Sequence, residues 1–551
     1  MITKLFPEIL AYIMILTQES SLPSIVDTTL EDDDDLDSCS NHGKPSQPFE
    51  ITISHVNSQL RAIALCTPHL WSSIHIDTGM QDAYLTLERT DAYIKRSGGY
   101  FLDLRIEVNE TKCNYEDRWI LRQALKLVAG ESRRWRRLTI ISEREGMAGM
   151  DIITSKLSQG EGEESLSNLE HLSISADYSS DVEDELEEAR YRPVQSLDNN
   201  ENDTGSSPRF RKTALKCLPK LSFLRLRGLA IYTFQLVFLP ALRVLHLDQT
   251  KAIPMTSNLL ESVAAACPAL EHLSVYGDII KSPINEAGAV RNVGPGMLFP
   301  RRLDNYTPRE AMFGNIGSSR GRAVGLSAKS SQGGVFLPEL RSLRVCGTQS
   351  FVYKTLLSQL EAPKLRNLLL KDAHEHDLDT LWETSLAHPQ IPTITGPPEA
   401  YTPMSTLKFT QIQSLAISNS NLSKFVYQGL FRVFPSITEF SSYSSMDPDT
   451  ASKLLDDGVK DVPWPNLRML TFIFDVDLTA EDKSIAELLQ KRKSVGFPIQ
   501  KVRIGAAEIG VVYGQVQKPV ARETAIVMER SENFDVWPLD RRYPDIDDIL
   551  F

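Results

Sequence analysis

The clearest metal-ligand chemistry in this 551-residue chain is a pair of histidines, His374 and His376, within the acidic segment 372–377. Imidazole and carboxylate groups are common ligands of transition metals. The segment directly follows Leu368–Leu370, whose apolar run is typical of a short strand, so a polar loop after a strand explains the same residues. We therefore expect no metal site here, and the sequence indicates no cofactor.

The sequence offers no catalytic motif in the structural context that the motif needs. It lacks the phosphate-binding pattern G-x-x-x-x-G-K-[ST] and a G-x-G-x-x-G pattern after a strand. The nucleophile pattern G-x-S-x-G occurs once, at Gly317–Gly321, within a Gly- and Ser-rich segment rather than directly after a predicted strand, and the zinc pattern H-E-x-x-H is absent. Because no catalytic residue can be assigned, we predict that the chain is not an enzyme.

A basic cluster, Ser132–Arg137, reads S-R-R-W-R-R. Four arginines around a tryptophan can bind phosphates and stack on bases. Trp135, Leu138 and Ile140, however, have the spacing of a buried strand, and this favours arginines that form the solvated flank of that strand. The net charge of −13 also argues against general binding to nucleic acid or to anionic membranes. We expect neither as a partner.

A recurring phrase predicts the elements that would position binding residues. Pro219–Leu226 reads P-K-L-S-F-L-R-L, and the same phrase, which starts with Pro, any residue and then Leu or Ile, recurs in six further segments. The other copies begin at Pro240, Pro268, Pro338, Pro363, Pro435 and Pro465. The side chain of Leu221 would pack in the core from a turn, and those of Leu224 and Leu226 would point into the same core from a strand. One such unit cannot bury its apolar face alone, so the units must stack.

Most neighbouring copies lie 21 to 30 residues apart, and weaker copies occur at 101–106, 135–140, 169–174 and 499–504. The pattern resembles a leucine-rich repeat that lacks the usual Asn or Cys after the strand. This resemblance implies an α/β fold in which an irregular leucine-rich-repeat solenoid covers residues 78–510.

In leucine-rich repeats, the side chains between the buried leucines line one binding face. The resemblance therefore implies a protein-binding surface spread over successive strands. Its candidate residues are Phe223, Arg225, Arg227, His246, Asp248, His272, Tyr276, Arg344 and Lys371. An ordinary solvated sheet face would give the same pattern, and this alternative stays open.

The N-terminal segment has a different, helical pattern. Apolar residues predict one helix over 5–17, in which Leu5, Ile9, Leu10, Ile13 and Leu16 share a face, and a second helix over 51–64. The two blocks L-F-P-E-I-L at Leu5–Leu10 and V-N-S-Q-L-R-A-I-A-L-C-T-P-H-L-W-S-S-I-H-I at Val56–Ile76 together resemble an F-box of the fungal type. Phe6, Asn57 and Leu60 stand where that family often has Pro, Cys and Trp.

The F-box resemblance implies that this helical unit docks on the SKP-type adaptor of a cullin ubiquitin ligase, with apolar side chains in a groove. The candidate contacts are Leu5, Pro7, Glu8, Ile9, Leu10, Val56, Leu60, Ile63, Leu70 and Trp71. The same residues could instead pack against the first repeats. The three departures, and an acidic insert that splits the motif, could weaken adaptor binding.

Three domains follow from these patterns. An F-box-like helical unit covers 1–77, the repeats cover 78–510, and a C-terminal cap or tail covers 511–551. The composition predicts disordered inserts at 18–48 and about 177–207 and 283–334. Cysteines such as Cys66, Cys267 and Cys346 lie in or beside apolar segments without a C-x-x-C pair, as expected of reduced, buried thiols in a cytoplasmic or nuclear protein.

The sequence thus predicts a substrate-recognition subunit of a cullin-type (SCF) ubiquitin ligase. The F-box would hold the adaptor and the repeats would hold an unidentified protein target. The alternative is a ligase-independent leucine-rich-repeat scaffold that binds proteins but has lost the adaptor.

Overall fold

A computed structural model defines the architecture of the chain. The residues that it describes are 5–21, 48–77, 83–109, 115–143, 150–158, 166–176, 213–215, 218–228, 230–248, 259–277, 335–346, 353, 356–357, 360–371, 373–374, 378, 409–418, 422, 424–443, 464–474, 482–506 and 525–530. All of them belong to one unit, formed by 1–281 and 335–551. The inserts predicted at 177–207 and 283–334 lie outside the described residues, as does most of that at 18–48.

The protein has a mixed α/β fold with a large parallel sheet. The strands are β1 (Ser73–Asp77), β2 (Leu102–Asn109), β3 (Trp135–Glu143), β4 (His171–Ala176), β5 (Thr213–Leu215), β6 (Phe223–Gly228), β7 (Phe234–Leu236), β8 (Val244–Asp248), β9 (His272–Tyr276), β10 (Val335–Phe336), β11 (Ser342–Cys346), β12 (Leu360–Glu361), β13 (Asn367–Lys371), β14 (Ser414–Ser418), β15 (Glu439–Tyr443), β16 (Met469–Phe474), β17 (Lys501–Ala506) and β18 (Ala525–Arg530). Fourteen of these form one sheet in chain order from β1 to β18, which stays open rather than closing into a barrel among the described strands. The remaining four form two small parallel pairs, β5 with β7 and β10 with β12.

Helices precede β1 and connect several of the parallel strands, because a parallel pair needs a crossover rather than a tight turn. The helices are α1 (Pro7–Ser21), α2 (Phe49–Val56), α3 (Ser58–Leu65), α4 (Ala83–Ser97), α5 (Tyr115–Gly130), α6 (Met150–Ser158), α7 (Ala230–Thr233), α8 (Leu259–Ala266), α9 (Lys424–Val433) and α10 (Asp482–Ser494). Short 3₁₀ turns occupy Pro68–Trp71 and Ser132–Arg134. Among the helices that the structure describes, none has the length and apolar content to cross a bilayer.

The recurring Pro-x-[Leu/Ile] phrase forms the same turn in six of its seven copies. Before β6, the Leu221 amide donates to the Leu218 carbonyl. The equivalent amides donate three residues back at Leu242, Leu270, Leu340, Leu365 and Leu467. The Leu or Ile of all seven copies is buried. Proline suits the turn because it fixes φ and has no amide hydrogen that would need a partner.

The parallel register aligns the strand leucines into a ladder in the core. The aligned residues are Leu172, Leu224, Leu245, Leu273, Leu343, Leu368 and Leu415, on β4, β6, β8, β9, β11, β13 and β14. All seven are buried, and each contributes about 1.5–3 kcal/mol when it leaves water. Because successive strand side chains alternate between faces, the residues between the leucines lie together on the opposite face of the sheet.

Several sequence predictions are corrected in the N-terminal part. The helix predicted over 51–64 is two helices, because Asn57 has an extended backbone and its Oδ1 accepts from the Leu60 amide at 2.8 Å. An asparagine in this position caps the following helix, which explains why α3 starts there. Cys66, predicted to be buried, is exposed, whereas Cys267 and Cys346 are buried as predicted.

The basic cluster at 132–137 connects elements of the fold. Trp135 is fully buried at the start of β3. Arg136 donates to both carboxylate oxygens of Asp103 on β2, at 2.9 and 2.5 Å. Arg134 donates to the carbonyl of Tyr100 at 2.9 Å. Arg134 and Arg136 therefore form hydrogen bonds within the protein, whereas the sequence indicated arginines on a solvated flank of the strand.

Beyond residue 510, the structure describes only Ala525–Arg530. This segment forms strand β18, which pairs in parallel with β17 as the last strand of the sheet. The other residues that were predicted to form a C-terminal cap lie outside the described part of the chain.

Candidate protein-binding surfaces

Helix α1 carries an apolar stripe on its outer side. Phe6, Ile9, Tyr12, Ile13 and Leu16 are all exposed, and Phe6 is the most exposed of them at 73%. Their spacing of three, three, one and three residues places them on one side of the helix. Val56 on α2 and Leu65 on α3 add exposed apolar area to the same helical unit. We call these seven residues the apolar surface.

The inner side of α1 packs into the protein. Leu10 and Met14 are buried in the core. The Gln18 side-chain amide donates to Glu50 Oε2 and to the Leu70 carbonyl, both at 3.0 Å. Leu10 therefore does not share a face with Ile9, contrary to the sequence prediction.

The structure divides the ten predicted adaptor contacts equally. Leu5, Pro7, Glu8, Ile9 and Val56 are exposed. The other five are buried within this chain, and they are Leu10, Leu60, Ile63, Leu70 and Trp71. Five residues of the apolar surface were not among the predicted contacts, and they are Phe6, Tyr12, Ile13, Leu16 and Leu65. For Phe6, Tyr12, Ile13 and Leu16, the signal in the sequence was a second apolar stripe along α1 and the residue before it, next to the stripe that packs in the core.

Trp71 is an internal anchor for the helical unit. Its indole Nε1 donates to the Ala64 carbonyl at 2.8 Å. Its ring meets Tyr93 on α4 edge to face, with 5.1 Å between centroids, and the Arg96 guanidinium lies 4.3 Å from the ring centroid. Tyr93 in turn donates its hydroxyl hydrogen to Glu50 Oε1. These contacts bind α2 and α3 to α4.

A second candidate surface lies on the sheet face opposite the leucine ladder. The register of β6, β8, β9, β11 and β13 aligns three rows of side chains there. The rows are Phe223, Val244, His272, Ser342 and Asn367, then Arg225, His246, Ser274, Arg344 and Leu369, then Arg227, Asp248, Tyr276, Cys346 and Lys371. We call these positions the polar face. All nine target-binding candidates from the sequence lie on it.

The polar face is buried in its middle and half-exposed at its borders. Phe223, Arg225, His246, Asp248 and Arg344 are buried. The remaining four candidates are half-exposed, and they are Arg227, His272, Tyr276 and Lys371. The predicted surface is therefore less open to solvent than the alternation of residues alone indicated.

An ion pair and two histidines occupy the buried part. Arg225 Nε lies 2.7 Å from Asp248 Oδ2. His171 on β4 stacks on Phe223, with 4.1 Å between ring centroids. Two strands therefore share a charged pair, and an aromatic stack links them to a third.

Burial and neighbouring charges set the protonation of these groups. Burial, reinforced by nearby arginines, lowers the pKa of His171 to about 3. Burial also lowers the pKa of His246 to about 3, since the opposing effect of Asp248 is smaller. For Asp248, burial is the largest single effect and acts to raise the pKa, but the charge and the hydrogen bond of Arg225, together with the smaller effects of His246 and Arg227, outweigh it and the pKa is lowered. At neutral pH the histidines are uncharged and Asp248 is a carboxylate.

Among the described residues, no cluster of three or more His, Cys, Asp or Glu side chains could hold a metal ion. His374 is exposed, and His376 lies outside the described residues. Comparison of the sequence with models of known protein families and with curated proteins gives no match.

Proposed function

We propose that this chain is a substrate-recognition subunit of a cullin-type (SCF) ubiquitin ligase. In this proposal α1 to α3 form an F-box-like unit that binds an SKP-type adaptor, and the strands form an irregular leucine-rich-repeat solenoid whose polar face binds the protein target. The chain would position the target, and other subunits would perform the ubiquitin transfer.

The observation that carries the proposal is the apolar surface of α1. A helix of a globular protein normally has one apolar side, which faces the core. Leu10 and Met14 already fill the side of α1 that faces the core. A second apolar side, which includes Ile9 and the preceding Phe6, faces solvent. Large exposed apolar patches are characteristic of binding sites for other proteins. The patch lies in the segment that resembles an F-box, so an adaptor groove is the partner that fits it.

Adaptor binding can be tested by co-purification of the full chain with a purified SKP-type adaptor. The informative variant is Ile9→Asp with Ile13→Asp, because both side chains are exposed and not needed for the core. The matched control is Leu85→Asp with Leu127→Asp, which places the same charges on exposed apolar positions of α4 and α5. Circular dichroism would show that all three proteins are folded.

We expect stoichiometric capture of the adaptor by the wild type and by the control. The Ile9/Ile13 variant should bind at least about tenfold more weakly, because charges would be buried in an apolar groove. If the folded wild-type chain captures no adaptor, the proposed role as a ligase subunit is wrong.

A ligase-independent scaffold is the second candidate. The observation that favours it is that Leu60, Leu70 and Trp71, which the F-box resemblance assigns to adaptor contacts, are core residues here. If the chain has lost adaptor binding, Phe6→Pro, which restores the usual family residue at an exposed position, should create it. Adaptor binding by the wild-type chain would count against this candidate.

A further inference from the structure

The polar face carries a local excess of positive charge. Its second and third rows contain four cations, Arg225, Arg227, Arg344 and Lys371, and one carboxylate, Asp248. The first row carries no Asp, Glu, Lys or Arg. Because the chain as a whole has a net charge of −13, this excess opposes the overall composition.

The buried centre of this face also holds polar atoms with unmet hydrogen-bonding capacity. Arg225 Nη2, His246 Nε2 and Asp248 Oδ1 are buried and have no hydrogen-bond partner within the described part of the chain. They lie on the neighbouring strands β6 and β8, beside the Arg225–Asp248 ion pair. A buried donor or acceptor that lacks a partner costs free energy, so such atoms indicate a site that an external polar group completes.

We propose that the polar face binds a carboxylate-bearing segment of the protein target. An Asp or Glu side chain of the target would accept from Arg225 Nη2, and a backbone amide of the same segment would donate to Asp248 Oδ1. Lys371 and Arg227, which are half-exposed, would attract further acidic residues at the border of the site. One extended acidic segment thereby supplies both the acceptor and the donor that the buried centre lacks.

Asp248 favours a carboxylate over a phosphate as the bound group. It is charged, because Arg225 lowers its pKa, and it would lie beside the incoming anion. A phosphate carries a charge of about −1.5 to −2, so its stronger attraction to the cations is opposed by stronger repulsion from Asp248. A phosphate also brings three acceptor oxygens into the buried centre, whereas one carboxylate oxygen is enough to accept from Arg225 Nη2.

This inference rests on the proposed function in one respect, since it gives a chemistry to the target of the same polar face. It does not depend on the adaptor. An experiment with peptide probes alone therefore distinguishes its failure from the failure of adaptor binding.

The test measures binding of fluorescent peptides to the full chain by fluorescence anisotropy. The probe is a peptide of about six Ser-Glu repeats, an extended acidic segment. The comparison peptides replace each Glu with Gln or each Ser with phosphoserine. Each affinity is measured at low and at moderate salt, because screening weakens ionic contacts at the exposed border.

Three variants locate the site. Arg227→Gln with Lys371→Gln removes the two border cations, which are half-exposed and therefore tolerant of change. Arg225→Gln with Asp248→Asn replaces the buried ion pair by neutral side chains that can still form hydrogen bonds. The matched control is Arg243→Gln with Arg341→Gln, which removes two exposed cations immediately before β8 and β11, off the polar face.

We expect the Ser-Glu peptide to bind and the Ser-Gln peptide to bind at least about tenfold more weakly. Both polar-face variants should reduce affinity for the Ser-Glu peptide by about tenfold or more, and the control variant by less than about twofold. Equal affinity for the Ser-Glu and Ser-Gln peptides would overturn the proposal, as would equal losses in the control and the polar-face variants. Tighter binding of the phosphoserine peptide would overturn the assignment to carboxylates.

Discussion

Leu224 lies in the middle of the leucine ladder and has no exposed surface. We predict that Leu224→Ala lowers the free energy of unfolding by about 2–5 kcal/mol, because it removes buried methyl groups and leaves a cavity. Chemical denaturation would measure the loss. The matched control is Leu65→Ala, whose side chain is 42% exposed, and which should change stability by less than about 0.5 kcal/mol. Equal effects of the two substitutions would contradict the burial of Leu224 in the core.

His171 and His246 should make stability depend on pH. Both have an ordinary pKa of 6.5 when unfolded and about 3 when folded. As the pH falls below 6.5, the unfolded chain binds a proton at each histidine while the folded chain does not, so stability is full above 6.5 and declines towards pH 3. Each histidine contributes a slope of about 1.4 kcal/mol per pH unit over this range.

The double variant His171→Gln, His246→Gln should therefore have a flatter stability profile than the wild type between pH 6.5 and 5. Denaturant titrations at several pH values would measure both profiles. Asp248 and the arginines around these histidines stay charged in this window, because the pKa of Asp248 is lowered and arginine titrates far above it. Identical slopes in the two proteins would show that these imidazoles are not held neutral.

The burial of an individual residue could be predicted from the sequence only where the apolar pattern fitted a single arrangement. Leu221 and Leu224 repeat at fixed offsets from a proline, and both are buried as predicted. Leu10 and Ile9 could not be separated, because α1 has apolar residues on two sides and the sequence does not state which side meets the core. The burial of Arg225 depends on the surroundings of the sheet face, which strand alternation does not specify.

A hydrogen-bonded link fixes α1 and α2 against α4. Glu50 accepts from Gln18 of α1 and from the Tyr93 hydroxyl of α4. Burial, with the adjacent Glu50 charge, raises the pKa of the Tyr93 hydroxyl, so it stays protonated and able to donate. We predict that Tyr93→Phe lowers the free energy of unfolding by about 1–3 kcal/mol, because it leaves a buried carboxylate oxygen without this donor.

Tyr93→Phe should also lower the local stability of α1 and α2. Hydrogen exchange of the backbone amides should become faster in α1 and α2 of the Tyr93→Phe protein than in the core strand β6. Tyr12→Phe is the control, because Tyr12 is exposed on the outer side of α1. Unchanged exchange in α1 would mean that apolar packing alone holds the helix.

The sequence predicted some boundaries between secondary-structure elements and missed others. The Pro-x-[Leu/Ile] turn was predictable because proline and a buried leucine act within a few residues of each other. The division between α2 and α3 was missed because apolar periodicity runs through it, and only the capping side chain of Asn57 ends one helix and begins the next. A rule for helix caps, applied at Asn57, would have found this boundary.

The parallel sheet follows from the order of the repeated phrases. Each phrase predicts one strand, the strands must stack to bury their leucines, and chain order then gives the observed order from β1 to β18. The sequence did not indicate that the sheet begins as early as β1, directly after the helical unit. It also did not indicate that four cations and one carboxylate would lie together on the polar face of a chain with net charge −13.

The two proposed surfaces lie on different elements, and we therefore predict that they can be separated by mutation. Ile9→Asp with Ile13→Asp should abolish adaptor capture and leave the affinity for the Ser-Glu peptide within about twofold of wild type, because substitutions in elements without shared contacts act independently. Arg227→Gln with Lys371→Gln should do the reverse. Co-purification and fluorescence anisotropy on the same three protein preparations would measure both activities. Loss of both activities in either variant, with the fold retained, would mean that adaptor and target compete for one surface, and the division of labour between the helical unit and the sheet would have to be abandoned.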